Sequence, residues 1–131
     1  MKSVRRRLPG LVELHRIAAL AMRELGITTK LGRPEIFLLR RKEMEALAAH
    51  FFRRPEQHAN VLAFEADDFP HPAPRGQKFL GQIYLNQDLS NRSELLIHGL
   101  LHLLGYRHGR ARDMIRMQRR EKELRRLIND Q

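Results

Sequence analysis

Three histidines in a leucine-rich segment carry the strongest chemical signal in this chain. Residues 98–108 read HGLLHLLGYRH, which places His98, His102 and His108 at the spacing H-x3-H-x5-H. His98 and His102 are four residues apart, so on a helix they project from one face about one turn apart. Gly105 can end that helix, because glycine readily adopts the left-handed conformation, and the returning chain brings His108 to the same point. Three imidazoles with one open coordination position are typical of a catalytic zinc site, with one Zn²⁺ per chain.

Gly99 separates this pattern from that of the zinc proteases. Those enzymes place a glutamate directly after the first histidine as general base, and Gly99 can move no proton. The pattern therefore predicts a metal site whose function is not ordinary peptide hydrolysis, and a divergent peptidase is the least favoured alternative. A buried helix whose histidines form only hydrogen bonds is the other explanation, and the three-histidine spacing argues against it.

Charge and composition restrict the class of partner. The chain has 25 basic and 15 acidic residues, a net charge of +10 and no cysteine. Arginine predominates and suits bidentate contacts with phosphate, so we expect a polyanionic partner, with a solvated surface that binds nothing as the alternative. Cysteine ligands and disulfides are excluded. No apolar run is long enough to span a bilayer and no secretory signal is visible, so we expect a cytoplasmic protein with no membrane partner.

The hydrophobic pattern predicts the elements that must position the histidines. Apolar residues at helical spacing indicate four helices, and short apolar runs indicate three strands. The helices cover about residues 10–25, 41–52, 93–104 and 111–128, and the strands cover residues 35–40, 61–64 and 78–86. The last two strands can pair across a proline-rich loop. The third helix is apolar on nearly every face, so we expect it to be the central buried helix that binds the metal.

Length and element order together predict the fold class. A chain of 131 residues is expected to form one domain around one core. We therefore predict an α+β fold, a single small domain over residues 1–131, in which a short β-sheet packs against helices.

The last predicted helix carries a carboxylate on its apolar stripe. Glu121 lies on the same side as Met114 and Met117, where a carboxylate is costly unless it is paired. Either it hydrogen-bonds and supports a metal-ligating histidine or a buried arginine, or it pairs with the neighbours of Lys122 or with Arg125 at the edge of the stripe. The sequence leaves these alternatives open. The same helix carries many arginines, which form either a rim that faces RNA or a solvated face.

The histidine segment resembles the hallmark of the YbeY family of metal-dependent endoribonucleases, also described as ribosomal RNA maturation factors. That hallmark is H-G-x-L-H-L-x-G-Y-D-H, and residues 98–108 match it except that Arg107 replaces the aspartate. Gly99, which departs from the protease pattern, is the family's own residue. Downstream, Met117 and Glu121 match the family's M-x3-E.

Weaker matches follow in the family's order and extend the likeness over about residues 35–121. Residues 60–64 (NVLAF) resemble the family's [DN]-V-L-S-F strand, and residues 81–83 (GQI) resemble its G-D-I strand, with Gln82 in place of the aspartate. Arg53 stands at the distance from the first of these strands where the family keeps an arginine.

The resemblance implies a function. It predicts an α+β fold with zinc at His98, His102 and His108, and hydrolysis of single-stranded RNA in the maturation of small-subunit ribosomal RNA and in ribosome quality control. Ribosomal RNA and small-subunit ribosomal proteins are the implied partners. Arg53 is expected to be the catalytic residue that clamps the phosphate and offsets its charge. From the residues alone, an ordinary ion pair is the alternative for this arginine.

Two further expectations concern RNA binding and the rival function. Arg107, Arg110 and Arg112 are candidates for contacts with RNA. No general base is evident, and Arg107 places a positive charge where the family has a negative one. A second hypothesis is therefore a non-catalytic assembly factor, stabilised by zinc, that binds the ribosome or its RNA without cleavage. The oligomeric state is not predicted.

Overall fold

The computed structural model describes residues 9–27, 32–52, 60–65, 79–104 and 111–129. In chain order these residues form α1 (Leu11–Glu24), β1 (Arg33–Leu39), α2 (Arg41–Phe52), β2 (Val61–Glu65), β3 (Phe79–Asn86), α3 (Arg92–Leu103) and α4 (Ala111–Asn129). The predicted α+β class is confirmed, with four helices and three strands in these ranges. None of the helices in the described ranges is both long enough and apolar enough to cross a membrane.

The three strands form one sheet in the order β1-β3-β2. The central strand β3 runs parallel to β1 and antiparallel to β2, so the predicted pairing of the last two strands is confirmed. β1 begins at Arg33, two residues before the predicted start at Glu35, and includes Pro34. An edge strand tolerates proline because its missing N–H faces away from the neighbouring strand, and the register shifts between Arg33 and Pro34.

Both faces of the sheet are covered by helices. Ile83 and Leu85 of β3 belong to the larger hydrophobic cluster, in which α1, α3 and α4 pack on one face. Tyr84 of β3 and Met44 of α2 belong to a smaller cluster on the other face. Because side chains alternate along a strand, β3 is buried on both sides and forms the centre of the fold.

Helix α3 packs against strands β2 and β3 of the sheet and against helices α1 and α4. Two glycines allow its close approach to the sheet. A Cβ atom on Gly99 would lie 3.0 Å from Cγ2 of Ile83 and 3.0 Å from Cγ2 of Val61, and one on Gly81 would lie 2.6 Å from Cδ2 of Leu103. A larger residue at position 81 or 99 would therefore push α3 away from the strands.

Helices α3 and α4 run antiparallel. Glu94 lies near Arg125, while His98, one turn further along α3, contacts Glu121, one turn back along α4. Met114, predicted on the apolar stripe, is 44% exposed.

Candidate metal centre

His98 and His102 lie side by side on α3, as their four-residue spacing predicts. Their rings are 4.7 Å apart between centroids, with planes inclined by 73°. The two Nε2 atoms are 3.1 Å apart. Two nitrogen ligands at the usual Zn–N distance on a tetrahedral zinc ion lie roughly 3.3 Å from each other. The separation of the two Nε2 atoms is that of a hydrogen bond between the imidazoles, and it is also close to the separation that a shared metal ion requires.

Glu121 approaches His98 from the other side of the ring. Its Oε1 atom is 2.6 Å from Nδ1 of His98, and the two side chains are 21% and 32% exposed. A carboxylate accepts the Nδ1–H proton, so the neutral ring keeps its lone pair on Nε2, the atom that faces His102. Among the partners left open for Glu121, the structure places it against the histidine, while Arg125 lies 3.7 Å from Glu94.

The other predicted site residues are placed only in part. His108, Arg53, Arg107 and Arg110 lie outside the described residues. Arg112 is described and is exposed on the first turn of α4. Within the described ranges, no three potential ligands gather into one group able to hold a metal ion, so the histidine pair is the part of the predicted ligand set that these ranges contain.

At position 99, where the zinc proteases carry a glutamate as general base, helix α3 lies directly against the sheet. The Cβ direction of Gly99 leads to Ile83 and Val61, whereas His98 contacts Glu121 on α4. A glutamate at position 99 would enter the packed interface between α3 and the strands. Helix α3 can hold and orient the imidazoles of His98 and His102. The packing around Gly99, however, leaves no room for a carboxylate that activates water.

One polar network was not predicted from the sequence, in which Gln82 stands out only as a departure from the family pattern. The Tyr84 hydroxyl donates to Oε1 of Gln82 at 2.8 Å, and Nε2 of Gln82 donates to Oε1 of Glu35 at 2.7 Å. Gln82 is fully buried and, by strand alternation, faces α2 rather than α3. An aspartate here would put a second carboxylate near Glu35, whereas the amide donates to it. Polar residues alternating on a buried strand were the signal that could have revealed the network.

The fold and the pair of histidines define a class: an α+β protein in which α3 carries two adjacent imidazoles, one of them in contact with a carboxylate on the last helix. The protein-family model described as "Endoribonuclease YbeY" matches residues 12–129. That match covers most of the chain, and the chain belongs to the YbeY family.

Curated relatives agree with this membership. A protein of Myxococcus xanthus (strain DK1622) named Endoribonuclease YbeY is 37% identical over 86 residues, which is 56% of this chain and 29% of that protein. The Endoribonuclease YbeY of Bordetella petrii is 34% identical over 77 residues, 53% of this chain and 50% of the relative. That of Picosynechococcus sp. is 33% identical over 84 residues, 52% of each chain. The matches thus span about half, or less, of the relatives' length.

Proposed function

We propose that the protein is a zinc-dependent endoribonuclease acting on single-stranded RNA in small-subunit ribosomal RNA maturation and ribosome quality control. Its expected partners are ribosomal RNA and small-subunit proteins in the cytoplasm. Family membership supports the reaction class, since the curated relatives are named as endoribonucleases. The observation that carries the proposal is the 3.1 Å separation of the two Nε2 atoms.

The residues that would hold the metal are histidines, whose imidazole nitrogens are suitable ligands for zinc. His98 and His102 offer Nε2 atoms at a suitable separation, and His108 is the proposed third ligand. When bound, zinc would supply a Lewis acid and acidify a water to a pKa of roughly 7. Glu121 holds the Nδ1 proton of His98, which fixes the ring's orientation and its tautomer. The partial exposure of His98 and Glu121 leaves the pair accessible from solvent.

Binding of the phosphate is assigned to arginine. Arg53 is the proposed catalytic residue, because a guanidinium can form two parallel hydrogen bonds to phosphate oxygens and offset charge that develops on them. Arg107, Arg110 and Arg112 are proposed to bind the flanking RNA. With +10 net charge, the chain attracts a polyanion over longer distances as well.

The test combines zinc content with RNA cleavage. Wild-type protein, His102→Ala and the matched control His50→Ala are purified, and zinc is measured by mass spectrometry. Each protein is then incubated with single-stranded fragments of small-subunit ribosomal RNA, with and without chelator. His50 is exposed at the end of α2, so its loss should change neither readout. We expect one zinc per chain and cleavage for wild type and His50→Ala, and loss of both for His102→Ala.

Three other outcomes would change the conclusion. Undiminished cleavage by folded His102→Ala would refute the metal site. Stoichiometric zinc with intact RNA would favour the non-catalytic assembly factor. Metal-dependent cleavage of a generic protein substrate would revive the peptidase. Circular dichroism of each variant confirms that a loss reflects the missing imidazole and not unfolding.

A further inference from the structure

Helix α4 carries arginines at a regular spacing on its outer side. Arg112, Arg119 and Arg126 are seven residues apart and all exposed. Seven residues turn an α-helix to within about 20° of two full turns, so the three side chains lie almost in line. At about 1.5 Å per residue the line is about 21 Å long. We call these three residues the basic stripe.

The basic stripe points away from the histidines. Met117 and Leu124 are buried on the inner side of α4, and Glu121 contacts His98 there. Residues three or four apart share one face of an α-helix, but Arg119 and Glu121 differ by two residues and therefore project about 200° apart. The stripe is consequently a second surface, separated from the metal centre by the thickness of the helix.

Among the described residues, none of the three arginines of the basic stripe forms an ion pair with an acidic side chain. Within the described part of the chain, the ion pairs of α4 involve other arginines, namely Arg120 with Glu123 at 2.6 Å and Arg125 with Glu94 at 3.7 Å. Arg116 and Lys122 are also exposed beside the stripe. Glu123 is an acidic residue on this side, and Arg120 already neutralises it. The outer side of α4 therefore carries an excess of positive charge, interrupted at Glu123.

We propose that the basic stripe docks the phosphate backbone of RNA outside the reacting nucleotides. This proposal rests on the proposed function. The RNA substrate then extends beyond the reacting nucleotides, and its flanking segment lies along α4. Arginine is suited to phosphate oxygens, and a line of about 21 Å can engage several successive phosphates. The exposed residues of α4 include no aromatic side chain, so binding here is independent of base sequence.

The test compares two variants of equal net charge. The stripe variant carries Arg112→Gln, Arg119→Gln and Arg126→Gln. Glutamine has nearly the helix propensity of arginine, and the three positions are exposed, so the fold is retained. Binding to a labelled oligouridylate is measured by fluorescence anisotropy over a range of salt concentrations, with and without chelator.

The matched control removes three positive charges elsewhere. Arg23→Gln, Arg33→Gln and Lys42→Gln lie on α1, β1 and α2, and all three positions are exposed. Each phosphate contact contributes about 0.7 to the slope of log K against log salt for single strands. We expect the stripe variant to lose about 2 from this slope and roughly 100-fold in affinity at 0.1 M salt. The control should remain close to wild type.

Equal losses in both variants, or none in the stripe variant, would overturn the proposal. It would also fail if the stripe variant lost binding to vesicles containing phosphatidylserine while retaining RNA binding, since the surface would then be a membrane contact. The assay measures binding, so it separates this inference from the proposed function. Stripe-dependent binding without cleavage leaves the docking surface standing and refutes the nuclease. Cleavage of RNA whose binding does not depend on the basic stripe would support the nuclease and refute the docking surface.

Discussion

Replacing Gly81 by alanine tests the close contact that positions the histidine helix. The new Cβ atom would lie 2.6 and 2.7 Å from the two Cδ atoms of Leu103 and 2.7 Å from the carbonyl oxygen of Phe64. Non-bonded carbons pack at about 3.5–4.0 Å. The Leu103 side chain can rotate away, but the Phe64 carbonyl belongs to β2, which is paired with β3. The backbone of β2 or β3 must therefore shift at this point of the sheet.

The expected cost of this substitution follows from two opposing effects. Overpacking a dense core by one methyl group costs about 1–3 kcal/mol. Alanine recovers about 0.5–1 kcal/mol, because glycine loses more conformational entropy in a strand. The net loss is about 1–2 kcal/mol in the free energy of unfolding. For 131 residues this corresponds to a decrease in Tm of about 4–7 °C.

Urea unfolding followed by far-ultraviolet circular dichroism measures this loss. The m value should be unchanged, because the same surface is exposed on unfolding. Gly10→Ala is the control for added volume, since no atom lies within 4 Å of a Cβ at that position. Because Gly10 is the N-cap of α1, where alanine is less favourable than glycine, this control should lose about 0.5–1 kcal/mol from capping alone. If Gly81→Ala is as stable as Gly10→Ala, the argument from close packing is wrong. Adding Leu103→Ala should relieve part of the strain, giving a coupling energy above about 0.5 kcal/mol.

Two further predictions concern the polar contacts of the structure. Glu121→Gln should weaken zinc binding by roughly 10–100-fold, because an amide holds the Nδ1 proton of His98 less strongly than a carboxylate; competition with a chromogenic chelator measures this affinity. Gln82→Leu should lower the free energy of unfolding by about 1–3 kcal/mol, because it removes the donor to Glu35 within a buried network, and urea unfolding measures the loss.

Each of these variants has a nearby control. Glu123→Gln removes an exposed carboxylate two residues from Glu121 and should leave zinc affinity unchanged; equal effects would mean that net charge, not the histidine contact, is responsible. Gln87→Leu changes a partly exposed glutamine just after β3 and should cost less than Gln82→Leu. If Gln82→Leu is neutral, the buried hydrogen bonds do not stabilise the sheet.

Much of the fold was predictable because it follows from local geometry. Helical and strand periodicities are properties of neighbouring residues, and the predicted elements agree with the structure to within a few residues. The adjacency of His98 and His102 likewise needs only the pitch of a helix. The start of β1 at Arg33 was not predicted, because proline is tolerated there only once the strand lies at the edge of the sheet.

By itself the sequence determined the α+β class, the family and the helix that carries two imidazoles, since all of these depend on residue types at fixed local spacings. Only the tertiary structure decided which partner Glu121 takes, because His98 and Arg125 were both within reach until the register of α3 against α4 was known. It also explained Gly99 as the point where α3 meets Ile83. Such contacts join residues far apart in the chain, and their distances depend on how the helices dock on the sheet.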